Sequence, residues 1–177
     1  TQYSGNLHLD RWNAEITDCY FEGGKTAKYG ANLSYGVANT MNVTNTILEG
    51  GVSAGAGGNF YAANAKAATF TDCKILGGSG TSGGNLYVNN GAVTIKGGEV
   101  SHGAASVSGG NIHANTAGGV TLQKNAAGEN PKILRGTAAE NGGNLYASDT
   151  VTVTDACFAL GSAASGEDLY GRRRLPV

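Results

Sequence analysis

Apolar residues recur along the chain in short runs that alternate with polar residues, and glycines separate one run from the next. The alternation has a period of two, which is typical of β-strands with one buried face. No stretch carries the longer period of an amphipathic helix with capping residues at its ends. The pattern therefore predicts an all-β chain of short strands joined at glycine-rich corners, with two or three strands in each unit of the pattern.

A Gly-Asn pair followed by an apolar residue returns in five of the seven units, and the other two units carry weaker copies, Gly30-Ala31-Asn32-Leu33 and Gly166-Glu167-Asp168-Leu169. Its asparagine, replaced by aspartate in the last copy, stands at positions 6, 32, 59, 85, 111, 144 and 168. Most steps are 26 or 27 residues, and the one step of 33 contains an insertion around residues 125–130. Short strands repeating at this interval can bury an apolar face only by stacking on the next unit. We therefore predict a right-handed parallel β-helix of about seven turns over residues 1–171, with residues 172–177 as a tail or linker.

Stacking turns each position of the motif into a column of side chains about 4.8 Å apart. The position after the asparagine is apolar in all seven copies, which predicts a core column. The asparagines themselves are predicted to form a ladder of side-chain hydrogen bonds along the axis.

A further column lies between two core columns and is predicted to face outward. Its members are mostly aromatic, as follows: His8, Ser34, Tyr61, Tyr87, His113, Tyr146 and Tyr170. Rings in line on a rigid sheet could stack against the sugar faces of a long ligand, or they could simply stabilise the sheet surface. With polar neighbours included, the candidate ligand-binding set is His8, Asp10, Arg11, Trp12, Tyr61, Tyr87, Asn89, His113, Asn115, Tyr146 and Tyr170.

Charge and cysteine content exclude several classes of protein. The chain has 12 basic and 13 acidic residues, a balance that argues against nucleic-acid binding. No apolar run approaches the length of a membrane span. Cys19 and Cys73 hold the same motif position two turns apart, about 9.6 Å, which is too far for a disulfide. No metal-ligand spacing occurs, so no cofactor is predicted.

Carboxylates do not form a catalytic pattern in the sequence. Asp18, Asp72 and Asp155 share a motif position, but other residue types interrupt the column. A hydrolase needs two carboxylates across the scissile bond, and no acidic cluster that could bind calcium for a lyase stands beside a basic residue. The chain is therefore predicted not to be an enzyme, and a polysaccharide lyase or hydrolase is the least favoured alternative.

Paired threonines raise one more alternative, which is ice binding. Thr69-Phe70-Thr71 and the triplet 152–154 have the Thr-X-Thr form. Glu15 and Lys96 interrupt the two threonine columns, so we interpret these residues as ordinary β-branched strand surface.

The Gly-Asn-apolar repeat and its period resemble those of the right-handed parallel β-helix superfamily. In its expected fold, its size and its context as a segment of a longer chain, the domain resembles the β-helical xylan-binding carbohydrate-binding modules attached to xylanases of gut bacteria. This resemblance implies a non-catalytic module that binds a plant cell-wall polysaccharide, with xylan favoured. It also implies an extracellular or cell-surface location and covalent linkage to a catalytic domain. It assigns no site residue, because no residue motif of that family can be placed on this sequence.

A second resemblance points to another function. The Gly-Gly-Asn-Leu and Gly-Gly-Asn-Ile copies are similar to the Gly-Gly-Ala-Ile-type repeats of bacterial surface β-helix adhesins. This similarity implies a structural or adhesive segment whose partner is a protein of a host or of a neighbouring cell. Composition does not separate the two alternatives.

Overall fold

A computed structural model describes residues 4–36, 39–64, 66–115 and 119–171. These residues form a parallel β-solenoid of about six turns, with a spacing of about 27 residues and without helices. The predicted all-β stacked architecture is confirmed, with about six turns where about seven were predicted. The predicted tail, 172–177, lies outside the described residues. Among the described residues, no helix is long and apolar enough to cross a membrane.

Equivalent strands of successive turns pair in parallel and form four sheets. Sheet 1 contains β1 (Leu7–Leu9), β5 (Leu33–Tyr35), β9 (Phe60–Ala63), β13 (Leu86–Asn89), β17 (Ile112–Ala114), β21 (Leu145–Ala147) and β24 (Leu169–Gly171). Sheet 2 contains β2 (Ala14–Thr17), β6 (Thr40–Thr44), β10 (Ala67–Thr71), β14 (Val93–Lys96), β18 (Val120–Gln123) and β22 (Val151–Val153). Sheet 3 contains β3 (Tyr20–Glu22), β7 (Ile47–Glu49), β11 (Lys74–Leu76), β15 (Glu99–Ser101), β19 (Lys132–Leu134) and β23 (Cys157–Ala159).

Sheet 4 is a feature that the sequence pattern did not predict. Its strands are β4 (Lys25–Thr26), β8 (Val52–Ser53), β12 (Ser79–Ser82), β16 (Ala104–Ser108) and β20 (Thr137–Ala138). They are rich in Gly, Ser and Ala, which have low β-propensity and little side chain to bury, so the segments resemble loops in sequence. Pairing with the turns above and below makes them strands.

The interior is filled by the predicted apolar columns. Leu33, Phe60, Leu86, Ile112 and Leu145 lie in register in sheet 1, and all five are fully buried. Each strand places its alternate residue inward because successive side chains point to opposite faces. The prediction of a core column is confirmed for these five turns, whereas in the two end turns Leu7 is half-buried and Leu169 is exposed, because no further turn covers them.

The asparagine ladder is confirmed as well. Each amide Nδ2 donates to the side-chain oxygen of the next turn over 2.5–2.8 Å. Asn85 shows the full pattern. Its Nδ2 also donates a hydrogen bond to the Ser101 carbonyl, and its Oδ1 also accepts one from the Gly78 N–H, each over 2.8 Å. The amides of Asn32, 59, 85, 111 and 144 are fully buried and each has its donors and acceptors occupied. The ladder therefore ties the turns together without leaving an unpaired polar group.

Candidate functional site

The aromatic column forms a continuous stack of rings along the axis. Neighbouring ring centroids are 4.5–5.7 Å apart and the ring planes are within 28° of parallel. The stack runs through Tyr29, Tyr61, Tyr87, His113, Tyr146 and Tyr170. Because each ring covers the face of the next, the aromatic faces between neighbouring members of the stack are closed to sugar rings.

Three of the rings predicted to be exposed are buried. Tyr61, His113 and Tyr146 are 7%, 7% and 9% exposed, so the expectation of an exposed stripe is wrong for them. A left-handed glycine four residues before each ring brings the backbone against it. At His113, this residue is Gly109, with φ 68°, where an added Cβ would lie 2.8 Å from the Cβ of His113. Tyr87 and Tyr170 are half-buried, and His8 is exposed.

Tyr29 is a member of the stack that sequence reasoning missed. The second turn has Ser34 at the ring position, where its hydroxyl shares a 2.7 Å hydrogen bond with His8 Nδ1. The Tyr29 ring comes from the preceding corner and stacks on Tyr61 with a centroid separation of 4.5 Å. Since Tyr29 lies five residues before the ring position, the period of the repeat does not reveal it.

The polar residues of the candidate set divide into two groups. Asn115 Nδ2 donates to Asn89 Oδ1 over 3.3 Å beside Tyr87. Burial raises the pKa of Tyr87, and a hydrogen bond with Asn115 partly opposes this shift. The structure therefore brings these three residues together, but they bond to one another.

Asp10, Arg11 and Trp12 of the candidate set lie on the corner that follows β1, and β1 is three strands away from the strand of Tyr87 in sheet 1. Asp10 and Arg11 are exposed and form an ion pair over 3.6 Å. The Trp12 side chain is 75% exposed, and its backbone carbonyl accepts a hydrogen bond from the Tyr35 hydroxyl over 2.9 Å. Trp12 is thus a free aromatic surface on a fixed backbone, at one end of the solenoid.

Burial of His113 makes the stability of the domain depend on pH. Burial lowers the pKa of His113 from 6.5 to about 4, and a hydrogen bond with the Ser108 carbonyl partly opposes this. The unfolded chain therefore binds the proton more tightly. The free energy of unfolding should fall by roughly 3 kcal/mol as the pH drops from about 6.5 to about 4. Urea unfolding across this range measures the effect.

His113→Tyr is the matched control, because tyrosine holds this ring position in four other turns. In that variant this contribution to the pH dependence should vanish. An equal loss of stability on acidification in both proteins would show that His113 does not cause it.

A shallow concavity of about 730 Å³ lies on the outer surface at sheet 3. The strand register places Lys74, Glu99 and Lys132 at the same position of three consecutive turns, all facing outward. The surface is open and its lining is mostly polar or charged, as follows: Asp72, Lys74, Gly98, Glu99, Lys124, Gly128, Glu129, Asn130, Lys132 and Cys157. An open polar surface of this kind suits an extended ligand better than a small apolar one.

The wall of the concavity is the insertion at residues 125–130. Asn125 Nδ2 donates to Glu129 Oε2 over 2.8 Å, and the Glu129 N–H donates back to Asn125 Oδ1 over 2.8 Å. The same Nδ2 reaches past one turn to Asp72 Oδ1 over 2.6 Å. Gly97 leaves this path open, since a Cβ there would lie 2.6 Å from the Asp72 oxygen. The wall is therefore held in place before any ligand arrives.

Sequence reasoning did not include the concavity in the candidate set. The available signal was the one 33-residue step in a repeat of 26 or 27 residues, because insertions in a repeat form loops and loops often carry function. No group of three or more His, Cys, Asp or Glu residues in the described part of the chain could hold a metal ion.

Comparison with known proteins gives no relative. No protein-family model, curated protein or solved structure matches the chain.

Proposed function

We propose that the domain is a non-catalytic polysaccharide-binding module that holds its ligand in the concavity of sheet 3. A plant cell-wall polysaccharide is the proposed ligand, with xylan the first to test. The observation that carries the proposal is the coincidence of the one insertion in the repeat with an open row of charged side chains. The insertion is braced by hydrogen bonds that belong to neither the asparagine ladder nor the backbone pairing of the sheets.

The chemistry of the row supports a glycan ligand. Lysine ammonium groups donate hydrogen bonds and glutamate carboxylates accept them, so both can bind sugar hydroxyls. The side chains stand on strands of a stacked sheet, which fixes their spacing at about 4.8 Å per turn. A long, repeating ligand can lie across several turns of such a surface without a conformational change of the protein.

The carboxylates at the wall favour binding over hydrolysis. Asp72 and Glu129 both accept a hydrogen bond from Asn125 Nδ2. In a glycosidase, the space between the two carboxylates holds the scissile bond or a water molecule. Here an amide nitrogen stands between them, and this supports a binding role.

Affinity electrophoresis in gels that contain xylan, β-glucan, galactomannan or pectin tests the proposal. The wild-type domain should be retarded in the xylan gel, with no release of reducing ends or unsaturated products. In the double variant Lys74→Ala and Lys132→Ala, the affinity for xylan derived from the retardation should fall by about tenfold or more, because two charged hydrogen-bond donors are lost. Lys25→Ala, an exposed lysine of sheet 4, is the control and should be retarded like wild type.

A surface adhesin segment is the second candidate, and the ring stack favours it. The rings of the stack cover one another's faces. Together with the asparagine ladder, the stack makes a stiff rod whose length is set by the number of turns. If no polysaccharide retards the domain, the polysaccharide proposal fails and the adhesin remains.

A further inference from the structure

Hydrogen-bond donors and acceptors alternate along the concavity. Lys74 on β11 pairs in register with Glu99 on β15, and Glu99 pairs with Lys132 on β19. Successive members of this row are about 4.8 Å apart along the axis. A ligand along the axis therefore meets an ammonium group, a carboxylate and another ammonium group in turn.

The groups in this row keep capacity for a ligand. Glu99 Oε1 accepts a 2.6 Å hydrogen bond from the Ser101 hydroxyl, which leaves its other oxygen for a further donor. Among the described residues, the ion pairs within 4.0 Å include neither Lys74 nor Lys132. Lys124, at the far side, is instead paired with Asp155 over 3.3 Å.

The charge of the lining is balanced. Its charged members are three lysines and three carboxylates: Lys74, Lys124, Lys132, Asp72, Glu99 and Glu129. Since the whole chain has a net charge of −1, no surplus of positive charge attracts a polyanion from a distance. A polyanion that bridged the two free lysines would also lie against the Glu99 carboxylate between them, and like charges at that distance repel.

Hydroxyl groups fit the alternation without this conflict. A hydroxyl both donates and accepts, so the hydroxyls of one sugar chain can accept from Lys74 and Lys132 and donate to Glu99. We infer that the concavity takes an uncharged, polyhydroxylated chain that lies along the solenoid axis, and that it rejects polyuronates. This inference rests on the proposed polysaccharide function and specifies its ligand class.

Isothermal titration calorimetry with three probes tests the inference. The probes are linear xylohexaose, a glucuronic-acid-substituted xylo-oligosaccharide of the same backbone length, and oligogalacturonate. Xylohexaose should bind, and its affinity should change less than about twofold between low and high salt, since no net charge is neutralised. Oligogalacturonate should not bind. Glu99→Gln should lower the affinity for xylohexaose by about tenfold, whereas Glu22→Gln, an exposed glutamate of β3, should leave it unchanged.

The outcomes separate this inference from the proposed function. Tighter binding of either acidic probe, with an affinity that falls steeply with salt, would overturn the uncharged-ligand inference while polysaccharide binding stands. An unchanged affinity in Glu99→Gln would also overturn it, because the carboxylate at the centre of the row would then have no role. Absence of binding by all three probes, together with no retardation in any polysaccharide gel, would reject both.

Discussion

Asn111→Asp is expected to lower the free energy of unfolding by at least about 4 kcal/mol, a large share of what a domain of this size has. In the native protein, Asn111 Nδ2 donates to the Leu134 carbonyl over 2.8 Å and to Asn144 Oδ1 over 2.7 Å. An aspartate places a charged oxygen against these two acceptors, in a site that is fully buried. Urea unfolding followed by circular dichroism measures the loss.

The control for this change is Asp168→Asn at the end of the ladder. Asp168 accepts from Asn144 Nδ2 over 2.5 Å and from the Gly161 N–H over 2.9 Å, and its ladder bonds are therefore those of an acceptor alone. It is half-buried, so the amide hydrogens of an asparagine there can reach water. A loss of about 1 kcal/mol or less is expected. Equal losses in the two variants would show that the direction of the ladder does not matter.

Gly78→Ala is expected to cost about 3 kcal/mol or more. A Cβ at Gly78 would lie 2.4 Å from the Gly84 carbonyl oxygen and 2.8 Å from the side-chain amides of Asn59 and Asn85. The first contact is with backbone, which cannot rotate away, and the others displace two members of the ladder. Thermal and urea unfolding should both show the loss.

Gly77→Ala is the neighbouring control. Gly77 has φ 61°, but nothing lies within 4 Å of an added Cβ. Only the left-handed backbone conformation is strained, and the expected cost is about 1 kcal/mol. A larger loss of unfolding free energy in Gly77→Ala than in Gly78→Ala would show that close packing against the ladder is not what excludes a side chain at Gly78.

The sequence predicted those parts of the fold that the repeat determines. Because every turn places equivalent residues in one column, the buried series from Leu33 to Leu145 and the asparagine ladder could be derived from spacing alone. Sheet 4 could not, since its Gly, Ser and Ala residues form strands only through pairing with adjacent turns. Burial of the rings was also missed, because alternation gives the direction of a side chain but not what covers it.

The concavity lies at the insertion of residues 125–130, which interrupts the repeat, and the residues chosen from the sequence did not include it. The set chosen from the sequence followed the aromatic column, and three of its rings proved to be buried. The residues that surround the concavity come from strands of consecutive turns and from the insertion, far apart along the chain. Asn125 reaches Asp72 across Gly97, a contact over 53 positions that no local pattern indicates.

The central claim, that the domain binds a polysaccharide in the concavity, is tested most directly by the mobility of wild type and of Lys74→Ala with Lys132→Ala in the same xylan gel. The account predicts that the wild-type domain is retarded, that the double variant migrates nearly as in a gel without xylan, and that neither releases product. Equal retardation of the two proteins would contradict the assignment of the site, and no retardation of wild type in any of the four polysaccharide gels would contradict the function.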